Sequence, residues 1–140
     1  MAIKMRVLYW SNKAKMKTIA NEIKNEFNLT MNAVDKIPPA YSCDKERIVI
    51  LCISIKEEPE DQLRLFCNGL SKQRAQNVAL IIDGNEKGAK YVKDMIIKAG
   101  TNLIDEVLFI KGGLPFFSKL SDEERKTVME WAYRVVDNLQ

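Results

Sequence analysis

The residues best suited to chemistry lie in one short stretch, Ser11-Asn12-Lys13-Ala14-Lys15-Met16-Lys17-Thr18, directly after the apolar run Val7-Leu8-Tyr9-Trp10. A strand that turns into a helix here leaves the helix's first N–H groups unpaired and its positive dipole end open, an arrangement that suits a phosphate. Lys13, Lys15 and Lys17 add positive charge, and Ser11, Asn12 and Thr18 offer side-chain donors. The same residues also read as an ordinary helix cap with solvated lysines. Other chemistries are poorly supplied. The chain has no histidine, the commonest general base and metal ligand. Cys43, Cys52 and Cys67 form no C-x-x-C pair, which argues against a zinc site or a disulfide framework and fits a reducing cytoplasm. Between Trp10 and Lys15 there is no cysteine or aspartate to act as a phosphoryl-transfer nucleophile. Glu57, Glu58, Glu60 and Asp61 cluster where a helix should start, either as a metal or partner site or as charge complementing the helix dipole.

The elements that must position these residues follow from the apolar pattern. Val7–Trp10 reads as a buried strand, and Met16–Phe27 as a helix with Met16, Ile19, Ala20, Ile23 and Phe27 on one stripe. Thr30–Val34 reads as a weak edge strand, broken afterwards by Ile37-Pro38-Pro39. Arg47–Ser54 is a continuous, β-branched-rich run, the mark of a strand covered on both faces. Pro59 suits the first turn of the next helix, whose stripe is Leu63, Phe66, Cys67 and Leu70. Asn77–Ile82 is a further buried strand ending in the turn Asp83-Gly84-Asn85, then a helix over Lys87–Ala99 capped by Gly100. Glu106–Ile110 makes a fifth strand, ending in Lys111-Gly112-Gly113. Ser121 with Glu124 forms a capping box before a helical stripe of Val128, Trp131, Ala132, Val135, Val136 and Leu139.

Buried strands alternating with helices predict an α/β fold with a parallel sheet covered on both faces. The 140 residues are the size of one domain, 1–140, with enough apolar residues to build a core. No apolar run is long enough for a membrane span, and Met1–Arg6, which lead straight into the first strand without a separate apolar segment and cleavage site, give no reason to expect a secretory signal. The net charge of +3, from 22 basic and 19 acidic residues, gives no reason to expect nucleic-acid binding. In such a sheet ligands lie at the carboxyl ends of the strands, where the strand order reverses. The relevant loops are then Trp10–Lys17, Ser54–Glu58, Asp83–Lys87 and Lys111–Lys119.

The stretch from Val7 to Ala20 resembles the first strand, phosphate loop and helix of flavodoxins, whose loop typically reads S/T-x-T-G-x-T. Ser11 matches the first hydroxyl, while Lys13 stands for a threonine, Ala14 for the glycine and Met16 for the last threonine. Ile48–Lys56, and Phe109–Leu120 followed by Glu124-Arg125, are similar to the branch that includes the menaquinone-dependent type of protoporphyrinogen oxidase. The resemblance implies a flavodoxin-like three-layer sandwich with a five-stranded sheet of order 2-1-3-4-5. It implies FMN as cofactor, held by Ser11, Asn12, Lys13, Ala14, Lys15 and Met16, by Ser54, Ile55 and Lys56, and by Asp83, Gly84 and Asn85. It also implies electron transfer with a redox partner protein or a quinone. Glu57 stands where an aromatic residue usually stacks on the flavin; Trp10, Phe116 and Phe117 are the replacements on offer, each of which also reads as core or staple. The alternative these replacements leave open is a flavodoxin-like domain without flavin, acting as a regulatory or interaction module or binding another small anion.

Overall fold

The computed structural model describes residues 3–139. Its strands are β1 (Met5–Trp10), β2 (Val34–Lys36), β3 (Glu46–Ile55), β4 (Ala75–Gly84), β5 (Asn102–Leu103) and β6 (Leu108–Phe109). Its helices are α1 (Ala14–Glu26), α2 (Asp61–Asn68), α3 (Glu86–Ala99) and α4 (Asp122–Asp137). The sheet is parallel, in the order β2-β1-β3-β4-β5, with β6 also paired to β4. This is the predicted order, with its reversal between β1 and β3.

The alternation along β3 explains the three layers. Ile48, Ile50 and Cys52 face one way, onto Met16, Ile19 and Ile23 of α1 and Val128, Trp131 and Val135 of α4. Val49, Leu51 and Ile53 face the other way, onto Leu63 and Cys67 of α2 and Val92 and Ile96 of α3. Each of these side chains is at most 3% exposed. Full burial of such a side chain stabilises by roughly 1.5–3 kcal/mol, so a strand buried on both faces gains twice per pair of residues. That is why β3 and β4 read so plainly as unbroken apolar runs.

Several sequence expectations are corrected. Thr30–Val34 is not a strand: Met31–Ala33 form a short 3-10 turn and β2 begins at Val34. The helix expected from Met16 starts at Ala14. Pro59 lies outside the helix it was expected to open, because Glu60 is the N-cap and α2 begins at Asp61. The turn expected at Asp83-Gly84-Asn85 is instead the end of β4, and Asn85 caps α3 by accepting a hydrogen bond from Gly88 N.

The fifth strand departs most from expectation. Only Leu108–Phe109 of Glu106–Ile110 is paired, and β5 at Asn102–Leu103 comes before it. Val78 faces Leu103 and Ile81 faces Leu108, so residues 104–107 bulge out opposite residues 79–80 of β4. Helix α4 fixes the bulge: Trp131 Nε1 donates to the Glu106 carbonyl at 2.8 Å, and Arg134 pairs with the Glu106 carboxylate at 2.5 Å. The capping box at the start of α4 is present in full, with Ser121 Oγ accepting from Glu124 N and Glu124 accepting from Ser121 N.

Two glycines permit a close approach beside the carboxyl edge. A Cβ on Gly84 would lie 1.8 Å from the Ile55 carbonyl oxygen, and one on Gly88 would lie 2.4 Å from it. Only glycine lets β4 and α3 come this near the backbone at the end of β3.

Candidate functional site

The carboxyl ends of β1, β3 and β4 bring Ser11, Ser54 and Asp83 together. Ser11 Oγ and Ser54 Oγ share a hydrogen bond of 2.6 Å, and Ser54 Oγ donates to Asp83 Oδ2 at 2.8 Å. Gly112 N, from the loop after β6, donates to Asp83 Oδ1 at 2.9 Å. Lys13 leans from the first loop to place Nζ 3.3 Å from Asp83 Oδ2. The Asp83 side chain is only 9% exposed, and every oxygen of its carboxylate is engaged. Burial raises its pKa, but the Gly112 N–H, the Ser54 hydroxyl and the Lys13 ammonium outweigh burial and hold it below the ordinary carboxylate value. Asp83 is therefore a fixed negative charge on the edge where an incoming anion was expected.

The loop after β1 is likewise occupied from within. Ser11 Oγ accepts from Lys13 N at 2.9 Å. Ala14 N, at the start of α1, donates to the Pro115 carbonyl at 2.9 Å, and Lys13 as N-cap gives no side-chain cap. The loop after β6 thus supplies the acceptor that the first turn of α1 lacks. Lys15 turns away from this loop: it is almost wholly buried, and its ammonium pairs with the Glu124 carboxylate on α4. Burial raises the Glu124 pKa, but the Lys15 and Ser121 hydrogen bonds win and lower it overall. Met16 is 0% exposed and packs in the core between α1 and the sheet. Thr18 is spent on its own helix, donating to the Ala14 carbonyl at 3.2 Å.

Of the residues singled out, the structure unites Ser11, Lys13, Ser54 and Asp83 in one network. Asn12, on the rim, joins Trp10, Ser11 and Ser54 around a cavity of about 410 Å³. Lys56 and Gly84 line a second cavity, of about 480 Å³, with Lys13 and Asp83. The network runs between the two cavities, since Ser11 and Ser54 border one while Lys13 and Asp83 border the other. Ile55 is buried, its carbonyl packed beneath Gly84 and Gly88. Ala14, Lys15, Met16 and Asn85 serve the fold in the ways given above.

The aromatic replacements divide differently from expectation. Trp10 is partly buried and packs against the core on the α2–α3 side. Phe116 and Phe117 are neither core nor staple; they are 80% and 48% exposed, on a turn closed by Phe117 N donating to the Leu114 carbonyl. Glu57 pairs with Lys87 at 3.0 Å, both well exposed. Sequence reasoning pointed to the loop Lys111–Lys119 but did not single out Lys111, Gly112 or Pro115 within it as site residues. The two glycines after the last strand were the available signal, because a Cβ at Gly112 would fall 2.5 Å from Asp83 Oδ2.

The described residues hold no cluster of three or more His, Cys, Asp or Glu suited to a metal ion. None of their helices is long and apolar enough to cross a membrane. Cys43, Cys52 and Cys67 are all buried and unpaired. No family model matches the sequence, and no curated protein matches it. Among solved structures it is similar to a Streptococcus pneumonia TIGR4 flavodoxin, described as a novel drug target. The two share 12% identity with a TM-score of 0.65, over 96% of this chain and 99% of that one. With the strand order and the helix layers already described, this likeness makes the fold flavodoxin-like.

Proposed function

We propose that this chain is a flavodoxin-like domain that works without a resident flavin, as a regulatory or interaction module that responds to a small anion at its carboxyl edge. The observation that carries this reading is the internal occupation of the expected phosphate cradle. Asp83 supplies a carboxylate, and the Pro115 carbonyl supplies an acceptor, where an FMN phosphate would have to supply both. The residues present do not fit FMN in the manner the resemblance implies.

The magnitudes point the same way. A phosphate entering the first loop must give up or displace Ala14 N, and it approaches the Asp83 charge. The hydroxyls missing at Lys13 and Met16 remove further bonds to a charged group, at about 1.5–3 kcal/mol each. Lys13 cannot compensate freely, because it is already paired with Asp83. The position at Glu57 supplies a charge rather than a ring to stack on.

The second reading is an FMN-binding electron carrier or small quinone-linked oxidoreductase. What favours it is the fold together with the meeting of Ser11 and Lys13, after β1, with Ser54 and Asp83 at the ends of β3 and β4. Under that reading FMN would supply the redox chemistry and the chain would bind and orient it. One titration separates the two. Adding FMN to the purified chain, with filtration and visible absorption of the retained fraction, should leave the protein colourless. Retention of one FMN per chain would refute the flavin-free reading.

A further inference from the structure

We infer that the apolar tip of the loop after β6 is a docking surface for a second copy of this chain, in a weak two-fold dimer across the carboxyl edge. The inference goes beyond the proposed function and does not depend on it. Leu114, at 60%, joins Phe116 and Phe117 in lying open, and none of the three packs against either core layer. A lone exposed apolar residue needs no explanation, but three within four positions mark a contact surface. The tip is also held in place. The Pro115 carbonyl accepts from Ala14 N, and Phe117 N closes the turn onto the Leu114 carbonyl at 3.0 Å. The side chains are therefore presented on a fixed backbone, which lowers the cost of ordering them on contact.

The charges around the tip say what covers it. Lys111 and Lys119 bracket it, both exposed, and among the described residues neither is in an ion pair. Asp122 and Glu123 follow in the first turn of α4, where they complement the helix dipole. The complementary charge lies on the same edge, between β3 and α2. Glu58 and Glu60 are exposed there without an ion pair, while Glu57 and Asp61 beside them are taken by Lys87 and Arg64. Lys56 offsets only part of this negative charge. β3 and β6 both pair with β4, so their ends lie about 10 Å apart. A two-fold axis across the edge, perpendicular to the line joining the two loops, sets the basic loop of each copy against the acidic loop of the other. That is the self-complementary pattern of an isologous contact. The apolar tips then meet between two charged rims. An aromatic side chain buries about 150–250 Å², so the contact stays below the roughly 1,600 Å² of a standard interface and is weak.

The test is sedimentation equilibrium of the full chain at rising concentration. A monomer–dimer equilibrium with a Kd of about 1–100 μM is expected at low salt, weakening as salt is raised through about 0.5 M. Phe116→Ala/Phe117→Ala should raise the Kd about 30-fold or more. Lys111→Glu/Lys119→Glu should raise it about 10-fold or more, and adding Glu58→Lys/Glu60→Lys, which restores the net charge, should bring it back to within about 3-fold of wild type. All six positions are exposed, so the melting temperatures should not change. A chain that stays monomeric at 1 mM, a dimer indifferent to the Phe116/Phe117 variant, or a charge swap that fails to rescue would each overturn the inference. So would a monomer that binds phosphatidylserine-containing vesicles through Phe116 and Phe117, which would give the tip to a membrane surface instead.

Discussion

Replacing Asp83 with asparagine changes the charge at the centre of the site while keeping its shape. The carboxylate accepts from Gly112 N at 2.9 Å and Ser54 Oγ at 2.8 Å, and pairs with Lys13 at 3.3 Å. Hydrogen bonds to a charged group are worth about 1.5–3 kcal/mol each, against about 1 kcal/mol for a neutral one. The amide keeps one oxygen, so one of the two hydrogen bonds survives in neutral form. The other meets an NH2 group, and the Lys13 ammonium loses its counter-charge. The expected destabilisation is about 2–3 kcal/mol, which for a chain of this length lowers the melting temperature by about 5–10 °C. The assay is urea unfolding of both proteins across pH. The Asp83 pKa is lower folded than unfolded, so its contribution is present above the unfolded value of about 3.9 and lost as pH falls through the folded value. The gap between wild type and Asp83→Asn should therefore hold from pH 8 to pH 5 and close at more acid pH. A gap below about 0.5 kcal/mol at pH 7 would show the network to be energetically idle. A gap that keeps its size at pH 2 would show that shape, not charge, is what asparagine loses.

Three further outcomes follow from the packing. Gly112→Ala should cost about 1–3 kcal/mol by overpacking, since its Cβ would meet Asp83 Oδ2 at 2.5 Å and Lys13 Cδ at 2.9 Å; a neutral result in thermal melts would contradict the close packing of this loop. Trp131→Phe should lose about 2–3 kcal/mol in urea unfolding, combining the 2.8 Å bond to the Glu106 carbonyl with a smaller ring in a site that is 0% exposed. Burial pushes the Cys52 and Cys67 thiols up to about 12, so both should resist a thiol reagent at pH 8 in the native protein and react at once in denaturant. Rapid native labelling of either would contradict their packing.

How much of this was legible in the sequence depended on whether the signal was local. β1, β3 and β4 announce themselves because both faces are buried, so nearly every residue is apolar. Ser121 and Glu124 close the capping box within three residues, and both bonds form as predicted. The edge of the sheet was harder to read. Residues 104–107 leave the ladder because Glu106 is held by Trp131 and Arg134, some 25 residues later in the chain, and no periodicity reports such a contact. The candidate site divides along the same line. Ser11, Lys13, Ser54 and Asp83 could be picked out because the strand order sends their loops to one edge. Their saturation of one another could not, since it depends on side chains meeting across three strands. Lys15 shows the contrast within a single turn: it reads as one of three equivalent loop lysines, yet Glu124 draws it into the helix layer.

The bulge opposite β4 bears on how this chain behaves at high concentration. A parallel sheet ends in a row of backbone donors and acceptors that another molecule's strand can pair with. Here that outer margin offers two residues, then an interruption pinned by Glu106, then two more. At the opposite margin, β2 is three residues long. Neither side presents the run of about six flat, extended residues on which fibril-like stacking is built. The irregularity that hid the fifth strand from its own sequence thus also leaves this margin without a long continuous template for another chain's strand.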